Sequence, residues 1–312
     1  MHGYRRWIAL GLLLAGLSGC RPAGSSNANQ AAGSVAPLIA VSSSYLAAAL
    51  RDLLGEDVTL LVLAEPGMCP GHFDLRPSQV AQLRACALLA RFDFQQSLDA
   101  RLADGATQVV AVSVPGGMCV PASYQEVCRQ LADVLVAQQR LSQSQADRQL
   151  AAVAERMKHL ADWCHAQIDA AGLRDQPVLC SGHQAAFCRS LGLSVAATFS
   201  AADTAQASQI DQAVKQGEKA AVRLVIANRP EGRQLADALA DRLQAKVLVF
   251  GNFPNGQTAH SFDRLVRDNL ELLTEAARQI KGLAENHPSH VERPSGSELP
   301  TGSGTGSKEA AR

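Results

Sequence analysis

The stretch SQADRQLAAVAERMKHLADWCHAQIDAAG, stopped by Gly172, constrains the fold more than any other part of the chain. Leu150, Val153, Met157, Leu160, Ala161 and Cys164 fall at three-four spacing, the signature of one buried face on a long helix. From Ser123 to Ala171 the pattern is helical almost throughout, with a break only near Leu141 to Ser144. On both sides of it, short apolar runs alternate with helical patterns.

Before the helix, strands are expected at PLIAVS (37–42), VTLLVL (58–63), CALLA and TQVVAVSV (107–114). Helices are expected at 44–55, from Pro77 to about Ala85, and near 94–103. After it, strands are expected at PVLC (177–180), SVAATF (194–199), RLVIA (223–227) and KVLVF (246–250), with helices at about 183–191, 205–217, 231–243 and 261–283. Strict alternation of this kind predicts parallel strands covered by helices on both faces. The fold class is therefore α/β: two lobes, each a parallel sheet flanked by helices, joined by one long central helix. Ligands of open parallel sheets bind beyond the carboxyl ends of the strands, so two facing lobes make a cleft.

The ends of the chain read differently. MHGYRRWIALGLLLAGLSGC has a positive start at Arg5 and Arg6, an apolar run from Ile8 to Leu17 too short to span a bilayer, and small residues before Cys20. LSGC resembles the bacterial lipobox, in which the cysteine is acylated after cleavage. The division expected is 1–19 signal peptide, 20–36 lipid-anchored flexible linker, 37–143 N-terminal α/β lobe, 144–172 connecting helix, 173–283 C-terminal α/β lobe and 284–312 disordered tail. Small polar residues build the linker, and large apolar side chains are almost absent after Val291. The domain then sits at a bacterial membrane, on its periplasmic or extracellular side, held to the bilayer through Cys20. Zero net charge and the lack of a basic stripe argue against nucleic acid as a partner, and a monomer is expected.

Disulfides persist outside the cytoplasm, so the cysteines carry information. Lipidation takes one of eight and leaves seven, an odd number that strands at least one thiol. Cys69-Pro-Gly-His72 and Cys180-Ser-Gly-His183 are both C-x-G-H phrases, and PGGMC adds Met118 and Cys119. A cysteine and a histidine three apart in a glycine-containing turn can point the same way, and thiolate with imidazole is a donor set for zinc or copper. All three loops are expected at strand carboxyl ends. If they line one cleft, Cys69, His72, Cys119, Cys180 and His183 are five donors where zinc needs four. Cys86 opens a buried strand, and Cys128, Cys164 and Cys188 sit on helix faces, where core packing or a disulfide suits each.

The phrases GMCPGHFDLRPSQVAQLRACALLARF and PVLCSGHQAAFCRSLGLSVAATF, with the order of elements over about residues 37–282, resemble the metal-binding solute-binding proteins of bacterial zinc and manganese ABC transporters, the cluster A-I family. His72 with Pro77-Ser78 is similar to that family's Pro-His-x-x-x-x-Pro-Ser phrase. His183 with Phe187 is similar to its His-Asp-Ala-Phe-x-Tyr phrase. The resemblance implies a rigid two-lobed receptor that delivers a metal ion to a membrane permease, with His72 and His183 as first and third ligands. The second, usually a histidine, falls at Met118-Cys119, so Cys119 is the expected replacement. Acidic ligands are expected after the last two strands, where this chain has Asn228, Gly251 and Asn252. Lacking carboxylates there, the site is expected to favour zinc first, Cu(I) second and manganese least. The competing reading is a thiol/disulfide redox or adhesin-like protein on the same fold; no nucleophile with an oxyanion hole supports an enzyme.

Overall fold

The computed structural model describes residues 39–64, 68, 75–102 and 107–286. The segments expected as signal peptide and linker, with Cys20, the stretch carrying Cys69 and His72, and residues beyond 286 lie outside the described residues.

Two four-stranded parallel sheets form, as the alternation predicts. In the first, the order is β2 (Leu60–Val62), β1 (Ile39–Val41), β3 (Leu88–Phe92), β4 (Gln108–Val112). In the second it is β6 (Ser194–Phe199), β5 (Pro177–Ser181), β7 (Leu224–Asn228), β8 (Lys246–Phe250). β3 and β7 are buried along their whole length, because helices cover both faces.

The helices are α1 (Ser44–Leu54), α2 (Pro77–Arg84), α3 (Pro121–Ala137), α4 (Gln143–Ala171), α5 (Ala185–Ser190), α6 (Ala207–Lys219), α7 (Gln234–Leu243) and α8 (Ser261–Asn286). Ser142 caps α4 by accepting from the Gln145 N–H, the Gln145 side chain returns to the Ser142 N–H, and Gly172 ends it in the left-handed region. Its buried face is Ala146, Val153, Met157, Leu160, Cys164 and Ile168, while Leu150 and Ala161 are half-buried. One expected helix differs. Residues Asp93–Arg101 form a 3₁₀ segment with non-helical backbone at Gln95, because the Gln95 side chain accepts the Phe92 N–H and Asp99 folds back onto Arg91 at 2.6 Å.

Side chains from the inner faces of both sheets and from α1, α3, α4, α5 and α8 form one continuous core. Smaller clusters fill the outer face of each sheet. The few aromatics are concentrated where the lobes meet: Tyr45 lies 5.5 Å from Tyr124 and 5.9 Å from Phe262, and Tyr124 stacks on Phe262 at 4.0 Å. Such pairs contribute about 0.5–1.5 kcal/mol each beyond area burial.

A buried ionic junction ties the same elements. Asp52 of α1, with a fully buried side chain, accepts from Tyr124 Oη at 2.7 Å, from the His260 N–H at 3.0 Å, and from Arg156 of α4. Arg156 also reaches Asp263 of α8 at 3.1 Å. Nearby, Arg51 donates to the Gly256 carbonyl. Gly256 has φ +65°, and a Cβ there would lie 2.5 Å from the Ser44 carbonyl oxygen, so only glycine lets this loop approach α1. These contacts fix the lobes against each other and so fix the width of the cleft. Among the described residues, no helix is long and apolar enough to cross a membrane.

Candidate functional site

Loops at the carboxyl ends of β4, β5, β7 and β8 converge. The loop after β4 is pinned by Gln130, whose amide oxygen accepts the Ser113 N–H and whose nitrogen donates to the Ser113 carbonyl. It then passes through Gly116 and Gly117, both at positive φ. A Cβ on Gly117 would meet the Ala186 Cβ at 2.9 Å, which is how closely the two lobes approach here.

Cys119 follows, at the foot of α3, and is 1% exposed. Its thiol donates to the Gly251 carbonyl at 3.1 Å and lies 3.5 Å from Asn252 Oδ1, while Asn269 Nδ2 donates to the sulfur at 3.7 Å. Burial pushes its pKa up to about 12, and the Asn269 hydrogen bond offsets only part of that. Gln184, fully buried, donates to Asn228 Oδ1 at 3.1 Å and Asn252 Oδ1 at 2.7 Å. The positions where the family resemblance places carboxylates therefore hold a neutral seam of amides and one thiol that links the lobes.

Cys180 and His183 do not share a face. Cys180 still belongs to β5 and is fully buried in the inner core, where its proximity to Cys188 of α5, together with burial, raises the Cys188 pKa. The chain turns at Ser181, and a 3₁₀ segment, Gly182–Gln184, carries His183 outward. The His183 N–H donates to Ser181 Oγ at 3.2 Å, and its side chain is 64% exposed.

Beside it stands a group the sequence reading missed. Glu231, in the 3₁₀ segment Arg229–Glu231 after β7, places Oε1 3.5 Å from His183 Nε2 and accepts a hydrogen bond from Ser181 Oγ through Oε2. β5 and β7 are parallel neighbours, so their carboxyl ends deliver both groups to one place. The signal was present in IANRPEG after a predicted strand, but pairing it with CSGH requires the sheet order. Asn228, Gly251 and Asn252 carry no carboxylate, as expected, but Glu231, three residues after Asn228, places one against His183.

In front of His183 lies a cleft of about 530 Å³ between Asp93, Phe94, Val114 and Met118 of one lobe and Gly182, His183 and Ala186 of the other. Cys119 and Cys180 are not among its lining residues. Among the described residues, no group of three or more His, Cys, Asp or Glu side chains is placed to hold one metal ion; His183 with Glu231 is a pair. The other two expected donors, His72 and Cys69, lie outside the described residues.

Comparison with known proteins is consistent with this geometry. Residues 119–276, half of the chain, match the family described as zinc-uptake complex component A, periplasmic (ZnuA). No curated protein matches. Among solved structures, the manganese-bound periplasmic metal binding protein of Candidatus Liberibacter asiaticus superposes with a TM-score of 0.65 at 12% identity, covering 77% of this chain and 98% of that one. Its cadmium-bound form gives 0.64 at the same identity and coverage. A crystal structure of ZnuA gives 0.62 at 16% identity, again over 77% and 98%. At these identities the likeness is one of fold.

Proposed function

Since the chain belongs to the family of the periplasmic zinc-uptake complex component A, a family of binding components rather than enzymes, we propose that it is a lipid-anchored receptor, tethered through Cys20, that captures a transition-metal ion in the interlobe cleft and delivers it to an ABC-transporter permease. The observation that carries this reading is the exposed His183 imidazole, which lines the cleft, with the Glu231 carboxylate 3.5 Å from its Nε2. His72, with Cys69 three residues before it, is the donor proposed from the facing lobe.

An imidazole and a carboxylate suit zinc, whereas Cu(I) favours the sulfur donors that this structure keeps in the buried seam. A single carboxylate is a poor match for manganese, which prefers an oxygen-rich shell. Zinc is therefore the proposed cargo. Cys119 lies in the hydrogen-bonded seam and Cys180 in the inner core, neither lining the cleft, so neither is proposed as a donor.

The test is a titration of the metal-free protein with Zn(II), Mn(II) and, under reducing conditions, Cu(I). Zinc is expected to bind tightest, and His183→Ala and Glu231→Gln are each expected to weaken it at least tenfold. Unchanged zinc affinity in both variants places the metal elsewhere and overturns the assignment.

A further inference from the structure

The shape and chemistry of the cleft point to a cargo larger than an ion. We infer that the zinc enters as a complex with a small organic chelator that presents an aromatic or apolar face, and that Phe94 and Met118 hold that face. The inference rests on the metal-binding reading of the same cleft.

Volume is the first argument. An ion with six waters occupies roughly 200 Å³, taking about 30 Å³ per water. The cleft holds about 530 Å³, within the range of roughly 300–1,000 Å³ typical of small-molecule sites. The lobes cannot shrink it readily, because the Asp52 junction and the continuous core fix their spacing.

The walls are the second argument. A hydrated ion gains nothing from apolar surface, yet Phe94, Val114, Pro115, Met118 and Ala186 all face this space. Phe94 is 58% exposed and is held flat by stacking on buried Phe92 at 5.2 Å and 12° between planes. A large aromatic fixed face-outward at the mouth of a cleft costs solvation in the free protein and is repaid when a flat or apolar partner covers it.

The polar groups are the third. His183 lies on one wall with the mostly buried Glu231 carboxylate 3.5 Å from its Nε2, and Asp93 is the carboxylate among the lining residues of the other. Zinc sites with few protein ligands keep open positions and expand to five-coordination, so donors that arrive with the ion can complete the shell. Charge fits as well: the neutral seam below leaves the dication to be balanced at the rim.

Native mass spectrometry and calorimetry on the full chain test this with zinc alone and with a 1:1 zinc–2,2′-bipyridine complex. The expected product is a 1:1:1 assembly of protein, zinc and bipyridine, bound at least tenfold tighter than zinc alone. Phe94→Ala is expected to erase that gain while leaving the affinity for zinc alone within twofold. Zinc binding without a retained bipyridine mass, or a gain that survives Phe94→Ala, overturns this inference and leaves the metal receptor standing. Failure of zinc to bind in any form removes both readings.

Discussion

Replacing Cys119 by serine separates a ligand from a structural thiol. At pH 7 a thiol whose pKa is about 12 is five pH units from ionisation, and each unit corresponds to about 1.4 kcal/mol, so forming the thiolate costs roughly 7 kcal/mol. A metal seeking this sulfur also has to break the bond to Gly251 and part the lobes that it joins. Serine keeps a donor toward Gly251 and Asn252, with a net loss of about 1 kcal/mol for the altered geometry. Cys119→Ser is therefore expected to hold zinc affinity within threefold of the native protein. Calorimetry in two buffers of different ionisation enthalpy counts the protons released, and that number is expected to be the same for both proteins. A hundredfold loss of affinity with one proton fewer released at pH 7 would show that the seam opens and that Cys119 coordinates the metal, refuting the argument from burial.

Two further predictions concern the frame that sets the cleft. Asp52→Ala leaves the buried Tyr124 hydroxyl and the His260 N–H without their acceptor and Arg156 with Asp263 as its remaining carboxylate, and is expected to cost about 3 kcal/mol in urea unfolding; a loss below 1 kcal/mol would show the junction to be dispensable. Stability is also expected to fall on the alkaline side. Burial raises the Cys119 and Cys128 thiols above their unfolded values near 9, so the folded state keeps protons that the unfolded state has lost. The sign is that stability is level below pH 9 and then drops by up to about 1.4 kcal/mol per pH unit for each thiol toward pH 12. A flat stability profile from pH 9 to 11 in the native protein, measured by chemical denaturation, contradicts this.

The two lobes were legible because buried parallel strands and a 29-residue amphipathic helix leave strong periodic marks. The failures have physical causes. Along β5, Val178 and Cys180 face the inner core while Leu179 faces the outer cluster, and both faces are apolar. Nothing in PVLCS distinguishes a thiol turned inward from one turned toward a cleft. The expected helix near 94–103 gave way to a 3₁₀ segment because a local cap from Gln95 and the Arg91–Asp99 pair outweigh helix propensity in a polar stretch. Glu231 was invisible as a partner of His183 because the adjacency of β5 and β7 skips β6 in the chain. Spacing within one loop is local information, whereas a site built from several strand ends depends on sheet order.

The neutral seam bears on how such a receptor holds its cargo. Gln184 Nε2, Asn228, Asn252, Asn269, the Gly251 carbonyl and the Cys119 thiol hydrogen-bond one another in a buried place without a net charge, while Gln184 Oε1 is left without a partner among the described residues. Each bond is worth about 1 kcal/mol, and none requires a cation to offset buried carboxylates. Carboxylates in that floor would repel one another when no metal is bound, and the lobes would gain stability on loading. With amides there instead, the interlobe contact forms equally well with or without cargo. Recognition then belongs to the cleft, where His183, with Glu231 beside it, and Asp93 supply polar groups and Phe94 and Met118 supply apolar surface. It follows that zinc saturation should raise the unfolding midpoint only by the mass-action term for its affinity, and that Asn252→Asp, which puts a charge into the seam, should make folding stability depend on metal while lowering that of the metal-free protein. Differential scanning calorimetry of both proteins with and without zinc measures this; an Asn252→Asp protein as stable as the native one without metal would show that the floor is not the closed, uncharged contact described.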